Sequence, residues 1–140
     1  MKPIVRDQQR RRVYAWEEAA VAPHDRTEIT REVAEGMIAA LWAELGLHYP
    51  PKVRPLPTQA RGLFGRADRL TIELAPRFPA WVLLHELAHA LTSSLEGVSD
   101  GHGPRFMAAY IHLLARFLRL AEADLRESAR QAGLRIGIWP

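Results

Sequence analysis

The chain has 140 residues, 48% apolar and 25% charged, enough to bury one core, so a single domain over residues 1–140 is expected. It contains no cysteine, which excludes disulfides and thiolate metal sites and is compatible with a reducing compartment. The net charge of +3 comes from seventeen arginines against two lysines, but only Arg10 to Arg12 form a run, which reads as a solvated surface rather than a continuous nucleic-acid-binding face.

Residues 1–24 mix charge with Val13, Tyr14, Trp16 and Val21, which predicts a docked strand or short helix rather than a free tail. Asp25-Arg26-Thr27-Glu28 then offers an N-cap, and Ile29, Val33, Met37, Leu41 and Leu45 recur at helical spacing until Gly46. Pro50, Pro51, Pro55 and Pro57 impose an extended or turning segment, with Val53 and Leu56 as strand residues. Gly62 and Gly65 suggest a turn, and residues 69–74 alternate apolar with polar, as a half-buried strand does. Lying just before the next helix, this strand could offer an exposed edge to an extended peptide, or simply complete the sheet.

Pro76 and Pro79 precede a helix with Trp81, Leu84, Ala88, Leu91 and Leu95 on one stripe. Pro104 starts another, with Phe106, Tyr110, Leu113, Leu114 and Phe117 as its core face. A third begins near Ala121, where Glu122 and Asp124 favour a helix start, and ends around Gly133. The tail Leu134 to Trp139 alternates and is expected to add a strand. The fold class expected is α+β, a small, mostly antiparallel sheet packed on a helical layer. No stretch reaches the roughly 18 apolar residues of a membrane span, and no apolar block follows Arg10 to Arg12 as in a secretory signal, so a cytoplasmic protein without a membrane partner is expected.

The chemistry concentrates in His85-Glu86-Leu87-Ala88-His89 and Asp100-Gly101-His102-Gly103-Pro104. Positions i and i+4 share a helix face with a rise of roughly 6 Å, so two imidazoles so placed can share one tetrahedral ion. Glu86 projects toward the same mouth and can take a proton from an attacking water. A third protein ligand is needed, and His102 is the best candidate, because Gly101 and Gly103 allow sharp turns and Pro104 suits the first position of a helix. The same residues taken singly could be ordinary buried or loop histidines.

HELAHAL followed by DGHGPRF resembles the SprT-like (Spartan-type) zinc metallopeptidase domain, whose pattern is HExxH, a short loop, then HGxxF. The resemblance covers about residues 60–120 and implies a zincin-like fold, one Zn2+ per chain on His85, His89 and His102, Glu86 as general base, and a peptide or protein substrate. Members of that family cleave proteins, some of them crosslinked to DNA, and the better-known ones carry a cysteine-rich zinc ribbon after the protease domain. This chain has no cysteine, and it is closer to small bacterial metallohydrolases with the same core, for which the resemblance supplies no substrate.

Three further polar residues stand near the motif. Tyr110 could donate to the oxyanion of a tetrahedral intermediate or be a core tyrosine. Arg105 could do the same, bind a substrate carboxylate, or simply be exposed. Asp100 could accept the second N–H of a ligand imidazole or shape the turn. His24, His48 and His112 stand alone and read as structural. Two rival readings remain open: a DNA-associated protein, with crosslink processing or a structural metal, and a non-catalytic interaction module with a degenerate site. A three-imidazole set also accepts manganese, iron or cobalt.

Overall fold

The most apolar stretch of the chain becomes its most buried helix. A computed structural model describes residues 7–57 and 65–139. In it, α3 (Ala80–Leu91) buries eight of its twelve residues and packs chiefly on α4 (Pro104–Phe117), whose Phe106, Tyr110, Leu113 and Leu114 belong to the same core. α5 (Glu122–Gln131) covers α4 through Leu125 and Ala129. The chain enters as α1 (Arg10–Trp16), which runs on into a π-helical turn (Glu17–Val21) and a 3-10 turn (Ala22–His24). The docked N-terminal element is thus a helix, fixed by buried Val13 and Trp16 and by the Trp16 indole N–H donating to Ser128 Oγ at 2.9 Å.

A three-stranded sheet packs on one side of α3. β2 (Lys52–Pro55) pairs parallel with β4 (Thr71–Leu74), and β3 (Gly65–Ala67) pairs antiparallel with the other edge of β4. A separate ribbon pairs β1 (Ile29–Thr30) antiparallel with β5 (Arg77–Phe78). Two of these three pairings are antiparallel, and the class is α+β. Among the described residues no helix is long and apolar enough to cross a membrane.

Several local expectations are corrected. The helix expected from Asp25 starts at Arg31 as α2 (Arg31–Glu44), because Ile29 and Thr30 are drawn into β1. Asp25 and Thr27 cap a different helix: Trp81 N–H donates to Asp25 Oδ2 and Ala80 N–H to Thr27 Oγ1, each at 2.8 Å. They thereby satisfy two of the orphan donors of α3, whose own flanking Pro79 has no side chain to do so. α2 buries Ala34, Ile38 and Trp42, one position on from the expected stripe, and leaves Val33 53% exposed. The indole of Trp42 is the largest apolar group on the helix and decides which face turns inward.

Gly65 lies within β3 rather than in a turn, and Gly62 falls outside the described residues. The connection from β3 to β4 is made by Asp68, whose Oδ1 accepts the N–H groups of Leu70 and Thr71 at 2.9 Å. β4 is the central strand, paired on both sides, so it offers no edge to a peptide; the edge strand facing α3 is β3. Leu95 lies beyond α3 and is exposed, because the Thr92 and Ser93 hydroxyls donate to the carbonyls of Ala88 and His89 and end the helix. The tail forms no strand: Arg135 N–H donates to Gln9 Oε1 at 2.7 Å and Gly137 N–H to Pro104 O at 2.8 Å, which diverts its backbone groups from a ladder.

Candidate metal centre

α3 carries His85, Glu86 and His89, and the loop from α3 to α4 returns His102 to the same point. Gly103 is buried at the N-cap of α4, and a Cβ there would lie 2.7 Å from Asp100 Oδ2. Asp100 turns back to accept the N–H groups of Arg105 at 2.7 Å and Phe106 at 3.3 Å. It therefore caps α4 and does not support an imidazole.

The three Nε2 atoms form a nearly regular triangle. His85 to His89 is 3.2 Å, His89 to His102 is 3.2 Å, and His85 to His102 is 3.3 Å. A tetrahedral ion at roughly 2.0–2.1 Å from each nitrogen sets ligand separations of about 3.3–3.4 Å, so the side chains fit one such ion. Hydrogen bonding alone does not account for the triangle, since one N–H cannot satisfy all three edges at good geometry. Phe106, four residues beyond His102, forms the floor: its ring centroid lies 5.0, 4.4 and 5.0 Å from those of His85, His89 and His102.

Two carboxylates behind the imidazoles were not read from the sequence. His85 Nδ1 lies 2.5 Å from Glu17 Oε2, and His102 Nδ1 lies 2.6 Å from Asp7 Oδ2. Asp7 Oδ1 also accepts the backbone N–H of His102 at 3.1 Å. Glu17 Oε2 accepts the Tyr110 hydroxyl at 2.6 Å as well. Tyr110 is fully buried and committed to this bond, which removes it as an oxyanion donor. Arg105 is exposed and lines a separate surface groove with Leu91, His112 and Arg116, away from the triangle. His24 and His48 are exposed, and His112 stacks on Trp139 at 5.1 Å; none joins the cluster.

Glu86 is 5% exposed, and its Oε1 has no hydrogen-bond partner among the described residues. Burial, partly offset by His85, raises its pKa to about 7. Gly65 of β3 lies against it: a Cβ there would sit 3.0 Å from Glu86 Cγ. Burial, with the nearby charges of His85 and His102, lowers His89 to about 2, and burial also lowers His102 against the pull of Asp7. For His85, burial pulls downward, but the carboxylates of Glu86 and Glu17 outweigh it and raise the ring.

The centre opens into a cleft of about 300 Å3 between α1 and β3, lined by Asp7, Arg10, Tyr14, Gly65, Arg66 and Ala67. Tyr14 packs edge-on to His102 at 5.2 Å, with the Arg10 guanidinium 5.7 Å from its ring centroid. Among the described residues, Asp7, Arg10 and Tyr14 of the N-terminal segment thus form one wall of the cleft. Comparison of the chain with protein-family models, with curated proteins and with solved structures finds no match.

Proposed function

We propose that the chain is a zinc-dependent peptidase or related amide hydrolase, of the SprT-like, zincin type suggested by its motif, with a peptide or protein as substrate. The observation that carries this reading is the Nε2 triangle of 3.2–3.3 Å edges beside a buried carboxylate with an unpartnered oxygen. His85, His89 and His102 would hold one Zn2+ and leave a fourth position for substrate or water. Zinc supplies, when bound, polarisation of the scissile carbonyl and a water acidic near pH 7.

Glu86 then accepts the proton of the attacking water on its carboxylate and returns it to the leaving amine. Its burial keeps bulk water from competing for that proton, and Gly65 leaves the carboxylate room that a Cβ would crowd. The cleft between α1 and β3 would take an extended chain, and β3, an edge strand among the described residues, would align it through its main-chain groups.

Elemental mass spectrometry on protein purified without a metal-binding tag tests the metal, and a peptide library tests the reaction. About one zinc per chain is expected. Glu86→Gln should retain that zinc and lose turnover by about 10²–10⁴-fold, the usual worth of a positioned general base. Absence of zinc after incubation with the ion overturns the reading, and substantial hydrolysis by Glu86→Gln removes Glu86 from its role.

A further inference from the structure

We infer that Asp7 and Glu17 are positioning residues of the metal centre, so that metal binding and docking of the segment of residues 7–17 stabilise each other. The inference rests on the zinc reading above.

A neutral imidazole has one N–H and one lone pair, and a carboxylate only accepts. Glu17 Oε2 and Asp7 Oδ2 therefore draw the N–H of His85 and of His102 onto Nδ1 and turn each Nε2 lone pair into the triangle. The two contacts also fix the planes of the rings, and they strengthen donation through Nε2. His89 has no such carboxylate among the described residues; its ring is set by α3 and by Phe106, on which it stacks at an interplanar angle of 24°.

Neither carboxylate belongs to the elements that carry the histidines. Asp7 and Glu17 come with the N-terminal segment, which docks through Val13, Trp16 and Gln9, the last donating to His102 O at 3.0 Å. Gly101 admits Asp7: its φ is +63°, and a Cβ there would lie 2.8 Å from Asp7 Oδ2. A buried carboxylate such as Glu17, 3% exposed, is unfavourable unless charge and hydrogen bonds compensate it. A cation held by His85 would supply that charge, and linkage would make the benefit reciprocal. Removing either carboxylate should weaken the metal, and removing the metal should loosen the segment.

The test compares full-length wild type, Glu17→Gln and Asp7→Asn by chelator competition for Zn2+ and by the absorption spectrum of the Co2+-loaded protein. Trypsin cleavage at Arg10, Arg11 and Arg12 with and without Zn2+ reports docking. Glutamine at position 17 can still accept from Tyr110, so that variant isolates the charge. We expect each variant to stay folded by circular dichroism and to bind Zn2+ about 10–100-fold more weakly, with an altered Co2+ spectrum. Zinc should slow trypsin at Arg10 to Arg12 in wild type and far less in Glu17→Gln. Should Glu17→Gln fail to fold, Asp7→Asn carries the test, since the Asp7 side chain is 30% exposed. Folded variants with wild-type affinity and spectrum overturn this inference alone; a wild type that binds neither ion overturns it together with the zinc reading.

Discussion

α3 and the N-terminal segment approach the same imidazoles from opposite sides, and they are built differently. α3 buries eight of its twelve residues and has its first N–H groups capped by Asp25 and Thr27. α1 buries two of its seven residues and exposes Arg10, Arg11 and Arg12. One is a rigid part of the core that presents ligands; the other is a surface helix flanked on either side by a carboxylate that reaches inward. The spacing of His85 and His89 is therefore a property of a single helix, while the orientation of the His85 and His102 rings depends on tertiary docking.

The sharpest break of that contrast is His89→Ala on α3. It removes a ligand outright, so Zn2+ affinity in chelator competition should fall by more than the roughly 100-fold that a supporting carboxylate is worth. A smaller fall would place His89 outside the coordinating set. Gly65→Ala tests the opposite wall. Its Cβ should displace Glu86 and leave the ligands in place, lowering turnover by up to about 100-fold with zinc content unchanged. Unchanged turnover would mean that the carboxylate has room the packing does not suggest.

Metal removal should lower thermal stability. At zinc concentrations about 100 times Kd the bound ion contributes about 2.7 kcal/mol, which for a chain of this size is a Tm shift of about 10 °C in calorimetry. An unshifted Tm at that loading would separate metal binding from folding. The smallest effect is expected from Asp25→Ala, which removes a cap of α3 from outside the cleft. It should cost about 1 kcal/mol in urea denaturation and leave Zn2+ affinity as it was. A matching loss of affinity would show that the start of α3 and the ligands move together.

How much was legible in the sequence follows the same division. The HExxH pair could be read because helix geometry fixes i and i+4 wherever the helix lies. His102 could be read from Gly101, Gly103 and Pro104, whose backbone preferences act locally. The order and kind of the main helices followed from apolar spacing, but the inward face of α2 was missed by one position because Trp42 outweighs Met37 and Val33. Asp25 carried a recognisable capping signal, but its target was the helix 56 positions on. Glu17 and Asp7 lie 68 and 95 positions from the rings they support, and no periodicity connects such residues. The carboxylate adjacent in sequence, Asp100, was the natural candidate for their task and is occupied by its own helix.

The π-helical turn after α1 has a consequence for length rather than chemistry. Ala22 N–H donates to Glu17 O five residues back, so Trp16 and Val21, also five apart, can both face the core. An ordinary α-helical turn brings residues back into line after about 3.6 positions and would send one of that pair outward. Glu17 itself sits four positions beyond Val13, at ordinary α-helical spacing, and the surplus residue in the winding follows it. Deleting Ala19 or Ala20 would remove no group that touches an imidazole, yet it would rotate the preceding helix by about 100° against the core, since each residue accounts for that much of a turn. At this point of the chain, the count of residues matters as much as their kind.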